Sequence, residues 1–297
     1  MVSTLRSMLL LLLLVCLPAC VQHRDGSGGL DGDAADDDDT TAGDDDDDAS
    51  DDDDSGGDLV VDDDDDDDDD SPGAEWLATE VMYAHTDDTL YSVQAEPPYT
   101  VTELVTFHAG DGSDVPNLTD LAVSLTGEMY AVSTNGVWQV APGTGELVNI
   151  LETSGEFFVA LTFLSDGTLL AGSNSQLFMI DVDLGVMEAV TTFEEWSWAG
   201  DMVGLPDGFL YCAMEGEVDD MSSLVIYDYN LDQVVFDGAT GVGSMFGVGY
   251  GNDVLFGFTD EGSILTIDPA TGLANEVSSG DIRFWGAATN PVRWSAS

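Results

Sequence analysis

Basic residues are almost absent from this chain of 297 residues, which has no lysine and four arginines against 60 acidic residues. After position 71, 34 acidic residues face only Arg283 and Arg293, which leaves that region with 32 net negative charges. Phosphate backbones and anionic lipid headgroups would be repelled by such a surface. The charge balance therefore argues against nucleic-acid binding. It favours cations or basic partners, or a surface adapted simply to solubility.

Cysteine and histidine are also scarce, with three of each. Two cysteines lie near the N-terminus and Cys212 lies in the apolar stretch FLYCAM, so no disulfide framework is expected and Cys212 is predicted to be buried. His85 and His108 do not have the spacing of a zinc motif. The chain also lacks a P-loop, a dinucleotide fingerprint and a G-x-S-x-G elbow. The sequence therefore predicts no metal and no cofactor.

Residues 1–19 have the form of a cleaved secretory signal. One positive charge, Arg6, precedes an apolar run over residues 8–17 that is short for a membrane-spanning helix. The run ends in LPAC, whose last residue is Cys20, and this motif resembles the lipobox of bacterial lipoproteins. The resemblance implies that diacylglycerol is attached to the Cys20 thiol, which becomes the mature N-terminus. An ordinary signal peptide with an incidental cysteine is the alternative.

Residues 20–74 are predicted to form an acidic, disordered tether. Residues 25–70 contain 26 aspartates, and repulsion between neighbouring carboxylates favours an extended chain. Dense aspartate could associate weakly with calcium, although no spacing here matches an EF-hand loop. Val21, rather than Asp, follows the cysteine. By analogy with lipoprotein sorting, this predicts export to the outer membrane or cell surface of a Gram-negative bacterium.

Residues 75–297 contain an internal repeat. The segment YAVSTNGVWQV, residues 130–140, aligns without a gap with residues 83–93 and 170–180, and with short insertions to residues 256–267 and 211–227. Each segment alternates apolar and polar residues around a central turn, which is typical of a β-hairpin. With an opening strand before each hairpin and a tight turn after it, every unit has four strands. Such units of about 40–45 residues are typical of β-propeller blades.

Five hairpins predict an all-β, five-bladed propeller. The opening strands are separated by 40, 41, 45 and 39 residues when they are aligned on Leu121, Leu161, Met202, Gly247 and Gly286. The first hairpin lacks an opening strand, whereas the last is followed by one with nothing after it. The C-terminal strand is therefore predicted to complete the first blade, which then has three strands from the N-terminal side and one from the C-terminus. Closing the ring in this way would leave no exposed strand edge where the two ends of the repeat meet. A six-bladed ring with one degenerate blade is the alternative.

The turn phrases IDPATG, at residues 267–272, and APGTG, at residues 141–145, are similar to those of secreted bacterial propellers of the quinoprotein-like, NHL-like and YVTN-like group. The resemblance implies the propeller fold for nearly all of residues 76–291. It implies no particular function, because propellers host enzymes, lectins and scaffolds alike.

Aromatic and acidic residues are concentrated in the connections between blades, which are expected to surround the mouth of the central channel. Aromatic rings beside carboxylates suit a sugar ring or a cationic group, although such aromatics can also pack between blades. The candidate ligand contacts are Phe158, Glu195, Trp196, Trp198, Phe246 and Trp285.

Asp120 and Asp201 form the candidate catalytic pair. They occupy matching positions before the opening strands of the second and fourth blades, where the other blades are aligned with Ala160, Phe246 and Trp285. Glycoside hydrolysis requires a proton-donating acid and a second carboxylate at a controlled separation. A secreted carbohydrate-active enzyme that uses this pair is therefore the alternative to a binding protein.

The order of lipobox, tether and propeller favours a non-enzymatic surface lipoprotein. Its expected contacts are a membrane, through the lipid on Cys20, and an unknown protein, carbohydrate or cationic ligand at the mouth of the ring. Calcium-dependent assembly through the acidic tail is a third possibility.

Overall fold

The computed structural model of the chain describes residues 74–153, 155–216 and 221–296. The predicted signal peptide and almost all of the predicted tether lie outside these residues. Within them the chain forms 21 β-strands and two short 3-10 helices, Ala74–Trp76 and Pro291–Ala296. No helix in these ranges is long and apolar enough to cross a membrane.

The strands form five sheets, arranged as the blades of a propeller, in which all pairings but one are antiparallel. The first blade begins with β1 (Met82–His85), β2 (Thr89–Val93) and β3 (Val101–Thr106), and a two-residue strand, β4 (His108–Ala109), follows. The second blade contains β5 (Leu118–Val123), β6 (Met129–Ser133), β7 (Gly136–Val140) and β8 (Glu146–Glu152). The third contains β9 (Phe158–Phe163), β10 (Leu169–Ser173), β11 (Gln176–Asp181) and β12 (Val186–Thr192).

The fourth blade contains β13 (Trp198–Gly204), β14 (Phe209–Glu215), β15 (Ser222–Asp228) and β16 (Gln233–Ala239). The fifth contains β17 (Met245–Gly251), β18 (Val254–Thr259), β19 (Ser263–Ile267) and β20 (Ala274–Ser279), and β21 (Gly286–Thr289) follows it.

The C-terminal strand closes the ring. β21 pairs with β1 in antiparallel register, from Met82 opposite Thr289 to His85 opposite Gly286. β21 also lies between β5 and β17, the innermost strands of the neighbouring blades. Five blades with three-plus-one closure are therefore confirmed.

Hydrogen bonds beyond β21 strengthen this closure. The buried side-chain amide of Asn290 donates to the carbonyl oxygens of Ala78 at 3.1 Å and Glu80 at 2.9 Å. Arg293 Nε donates to the carbonyl oxygen of Thr79 at 2.9 Å. The segment that precedes β1 is thus fastened to the segment that follows β21.

The hydrophobic core is divided into five clusters, one between each pair of neighbouring blades. The innermost strands are covered on both faces, and every residue of β5 is buried. The outermost strands show the opposite pattern, since most residues of β3 and β12 are exposed or half-buried. Removing apolar surface from water at these five interfaces is the main stabilising term of the ring.

The turns between the first two strands of the blades explain a recurring feature of the repeat. Gly127, Gly167 and Gly208 have φ angles of 91°, 92° and 88° at this place in the second, third and fourth blades. Such backbone angles favour glycine. The fifth blade instead uses Asn252 and Asp253, with φ of 50° and 61°, which is the pattern of a type I′ hairpin turn.

One strand was not predicted from the repeat. After β3 the chain leaves the first blade, and β4 pairs in parallel with β8, with His108 opposite Glu146. The second blade therefore has a fifth, outermost strand that is donated from the connection between blades. Two residues are too few to carry a periodic pattern in the sequence.

Candidate functional site

The innermost strands bring one residue from each blade to the centre of the ring. Register identifies these residues, because each lies opposite an equivalent residue of the next strand: Asp120 opposite Val132, Ala160 opposite Gly172, Gly247 opposite Phe258 and Gly286 opposite His85. Asp201 precedes Met202 in the corresponding part of β13. We refer to Asp120, Ala160, Asp201, Gly247 and Gly286 as the axial residues.

The carboxyl group of Asp120 accepts two backbone hydrogen bonds. The amide of Leu121, on its own strand, donates to Oδ1 at 2.8 Å, and the amide of Leu161, on β9, donates to Oδ2 at 2.6 Å. Asp120 is completely buried. This carboxyl group thus joins the second blade to the third.

The carboxyl group of Asp201 accepts three further amides. Met202 donates to Oδ1 at 2.5 Å, while Val248 and Ala287 donate to Oδ2 at 2.7 and 3.1 Å. These donors lie on β13, β17 and β21. Together the two aspartates therefore satisfy one amide from each of the five innermost strands, and the pair holds the whole ring at its centre.

The two carboxyl groups lie close enough to influence each other's ionisation. Burial raises the pKa of both, and the nearby negative charge of Asp201 raises the pKa of Asp120 further. Two carboxylates in contact cannot both ionise without strong repulsion. The pair therefore titrates as a unit.

The register corrects one alignment that was made from the sequence. Gly247 and Gly286, and not Phe246 and Trp285, occupy the positions equivalent to Asp120. Gly247 and Gly286 were aligned with Leu121, whereas the strand register makes Val248 and Ala287 the equivalents of Leu121. Small axial residues in three blades leave room at the centre for the two aspartate side chains, and this size pattern was the signal that could have found the register.

His85 is a central residue to which sequence reasoning assigned no site. It is completely buried on β1, opposite Gly286. Its Nδ1 lies 2.6 Å from the carbonyl oxygen of Thr86, and burial lowers its pKa to about 4. The equivalent positions in the second and fifth blades carry Val132 and Phe258. A histidine at a repeat position that is otherwise apolar was therefore the feature of the sequence that could have identified His85 as a central residue.

The channel beyond the axial residues is very narrow. Its cavity volume is about 10 Å³, and the innermost strands and Pro291 line it. That is room for about one water molecule. This end of the centre of the ring therefore has no room for a larger ligand.

Two of the predicted ligand contacts are core residues. Phe158 is fully buried and packs edge-on against Phe178, and Trp198 is 6% exposed and packs edge-on against Phe193. Trp198 also donates its indole N–H to the carbonyl oxygen of Gln176 at 2.9 Å. Their rings wedge between blades and leave almost no surface with which to contact a ligand.

Phe246 and Trp285 are half-buried. Each comes directly before an axial glycine, so each stands at the end of an innermost strand where a connection between blades enters it. They stay candidate contacts at the mouth of the ring.

Glu195 and Trp196 line a pocket at the end of the fourth blade. Its cavity volume is about 340 Å³, and Glu215 and Asp237 line it as well. Trp196 is half-buried and packs on the core between the third and fourth blades. We call this the blade-4 pocket. Glu215 and Asp237 were missed because they come from β14 and β16, far from the connection that carries Trp196.

The blade-4 pocket is strongly acidic. Its three carboxyl side chains are exposed, and none accepts a hydrogen bond from the residues that the structure describes. The two arginines of the folded region are elsewhere, since Arg283 pairs with Asp260 and Arg293 lies beside Thr79. An aromatic face beside uncompensated carboxylates is a favourable environment for a cationic group.

Cys212 is buried, and burial raises the pKa of its thiol, as expected for a packed residue and not a reactive one. Cys20 and the aspartate-rich segment lie outside the described residues. Within the part of the chain that is described, no three histidine, cysteine or acidic side chains are placed to hold a metal ion.

Comparison with known proteins identifies no family. No protein-family model matches the chain, and no curated protein is similar to it. Among solved structures, glutaminyl cyclase from Myxococcus xanthus is 17% identical with a TM-score of 0.43, over 60% of this chain and 73% of that one. A protein described in "The de novo evolutionary emergence of a symmetrical protein is shaped by folding constraints" is 19% identical with a TM-score of 0.47, over 70% of this chain and 98% of that one. Neither likeness bears on function.

Proposed function

We propose that this chain is a surface-displayed binding module whose propeller takes a cationic ligand in the blade-4 pocket. The observation that carries the proposal is the combination in one pocket of a half-buried Trp196 with Glu195, Glu215 and Asp237. A guanidinium or ammonium group can stack on the indole face while the carboxylates accept its hydrogen bonds. The ligand class is therefore an arginine-rich or lysine-rich segment of a partner, or a small organic cation.

The charge of the folded region supports the same ligand class. Thirty-four acidic residues against two arginines create a negative potential that attracts cations to the surface and speeds their association. That long-range attraction has no preferred site. Specific binding must come from the indole ring and the local carboxylates.

Display at the cell surface rests on the sequence before the propeller. The resemblance of LPAC to a lipobox supports a lipid on Cys20, and the acidic residues up to position 70 support an extended tether. Some 50 residues can span at most about 170 Å when extended. The proposed arrangement holds the ring well away from an outer membrane, where a soluble partner could reach it.

Calorimetric titration of the purified chain with a triarginine peptide tests the binding site. Wild-type protein should bind one peptide, and Trp196→Ala should weaken binding by about tenfold, because a partly desolvated cation–π contact contributes about 1–2 kcal/mol. Asp237→Asn should weaken it too, whereas Asp281→Asn removes the same charge from an exposed site elsewhere and should change little. Equal losses in Asp237→Asn and Asp281→Asn would mean that only the overall charge is sensed.

The carbohydrate-active enzyme is the alternative function, and the axial geometry lends it little support. Glycosidase carboxyl groups are separated by about 5–9.5 Å so that a sugar or water fits between them. Here Asp120 and Asp201 lie close together and have no exposed surface. A polysaccharide panel tests this alternative. Turnover that is lost in Asp120→Asn while the ring stays folded would favour the enzyme over the binding module.

A further inference from the structure

The connection between the first and second blades is longer than the other connections between blades. Residues 107–117, eleven in all, separate β3 from β5, whereas the later connections contain five or six residues, as in 153–157 and 280–285. Part of the long connection is β4, which pairs with β8 at the outer edge of the second blade. Because a rigid scaffold positions its loops precisely, an unusually long loop is a common place for a binding site.

The long connection forms one wall of a cavity of about 320 Å³ at the outer edge of the second blade. The connection contributes Asp111 and Ser113, β7 contributes Trp138, and β8 contributes Glu146 and Asn149. The volume lies at the lower end of the range of small-molecule sites, about 300–1,000 Å³, so it suits a small ligand. We call this cavity the blade-2 pocket.

Trp138 gives the blade-2 pocket an aromatic wall. It is half-buried and packs on the core between the first and second blades. Its indole N–H donates to Ser133 Oγ at 2.9 Å, which fixes the ring in place before any ligand binds. The equivalent residues of the third and fifth blades, Phe178 and Leu265, are buried in the core. Packing of the repeat therefore does not by itself require a partly exposed aromatic ring at this position.

Polar side chains around Trp138 supply hydrogen-bond donors as well as acceptors. Asn149 is exposed and lies directly opposite Trp138 on the neighbouring strand, and its side chain offers both an N–H and a carbonyl oxygen. The amide of Ser113 donates to Asp111 Oδ1 at 2.9 Å. Hydrogen bonds from Ser113 lower the pKa of Asp111, so this carboxylate is an acceptor at neutral pH. Glu146 supplies a second carboxylate to the same pocket.

This combination suits a neutral saccharide unit. One face of a pyranose ring carries C–H groups that pack on an indole, while its hydroxyl groups each donate and accept hydrogen bonds. Both kinds of group find partners in the pocket. A cation would pair with the carboxylates but would gain nothing from the N–H donors of Asn149. An anionic sugar would be repelled by the net negative charge of the folded region.

We propose that the blade-2 pocket is a second ligand site, which stacks one neutral saccharide unit on Trp138 and hydrogen-bonds its hydroxyl groups to Asn149 and the two carboxylates. The site lies on a different blade from the blade-4 pocket and takes a different class of ligand. Sugar binding here and cation binding there can therefore be tested independently.

NMR titration of the full chain with the methyl glycosides of glucose, galactose, mannose and N-acetylglucosamine tests the site. At least one sugar should move the indole signal of Trp138 and the side-chain amide signal of Asn149 to saturation, while the indole signal of Trp196 stays in place. No response of Trp138 to any of the four sugars would overturn the proposal. Equal shifts of Trp138 and Trp196 would overturn it too, and so would a Trp138 signal that responds only to triarginine peptide.

Substitutions establish whether the response comes from the blade-2 pocket. Trp138→Leu, which copies Leu265 of the fifth blade, removes the stacking face but keeps an apolar residue in the core, and should weaken sugar binding by about tenfold. Asn149→Ala changes only an exposed side chain, so the fold should persist, and the loss of its hydrogen bonds should weaken binding by about five- to tenfold.

Asn275→Ala is the matched control, because Asn275 is exposed on the outermost strand of the fifth blade. It should leave sugar binding unchanged. Wild-type affinity in Asn149→Ala, or an equal loss in Asn275→Ala, would contradict a saccharide site in the blade-2 pocket.

Discussion

Asp120 on β5 and Asp201 on β13 meet at the centre of the ring, although each belongs to a different blade. Their carboxyl groups accept an amide from every innermost strand. This contact ties together elements that are far apart in the chain. The contact gives the pair a structural role. A ligand site is therefore expected outside the central channel.

Removal of the Asp201 carboxyl group should destabilise the ring. Asp201→Ala leaves the buried amides of Met202, Val248 and Ala287 without an acceptor, and each orphaned group costs about 1–3 kcal/mol. We expect the free energy of unfolding in urea to fall by more than about 3 kcal/mol. Asp281→Ala, which removes an exposed carboxylate, should stay within about 0.5 kcal/mol of the wild type. Similar stability of both variants would contradict the structural role.

A methyl group at position 286 should also be poorly tolerated. In Gly286→Ala the new Cβ would lie far inside contact distance of Asp120 and His85, and overpacking of this kind costs about 1–3 kcal/mol. Gly280→Ala is the matched control, because nothing lies within 4 Å of its Cβ position. The two variants are compared by their midpoints of thermal unfolding. Equal midpoints would show that the centre of the ring has room to spare.

Acid should weaken the fold through His85. Burial lowers its pKa from 6.5 to about 4, so its contribution is fully present above pH 6.5 and is lost as the pH falls through about 4. A shift of this size corresponds to about 3 kcal/mol. Surface carboxylates also titrate in this range, so the measurement is the difference between wild type and His85→Phe in urea unfolding above pH 6.5 and near 4.

The aromatic ring of His85→Phe preserves the edge contact with Phe107 while removing the titration. We expect the stability advantage of the wild type over His85→Phe to shrink with acid. An advantage that does not change with pH would show that His85 is not buried in its neutral form.

Lipid attachment is predicted to depend on one residue of the N-terminal segment. Cells that express the wild-type chain with a labelled fatty acid should incorporate the label into this protein, and Cys20→Ser should abolish both labelling and membrane association. Cys212→Ser, in the buried position, controls for the loss of a thiol. Equal labelling of wild type and Cys20→Ser would rule out the anchor.

The repeat made much of the fold predictable. Turn residues such as Gly127 and Gly167 mark each hairpin because few other residues adopt their backbone angles. Ring closure followed from a missing first strand and an unpaired last one. The two-residue β4 could not be predicted, since it lacks both length and periodicity.

The centre of the ring was predictable only in part. Asp120 and Asp201 stand out as acids at matching positions, but the sequence alignment placed Gly247 one residue out of register. His85 gave no motif, because its importance comes from Gly286 on a strand at the other end of the chain. Likewise, Trp196 was a candidate from the sequence, whereas Glu215 and Asp237 joined it only through the pairing of β14, β15 and β16.

The most direct test of the binding site is a two-dimensional NMR titration that follows the indole N–H signals of the six tryptophans as triarginine peptide is added. We predict that the Trp196 signal moves and saturates, that it still does so when added salt screens the general charge, and that the buried Trp198 signal stays in place. A Trp196 signal that does not move, or a shift at Trp285 alone, would contradict a cation site in the blade-4 pocket.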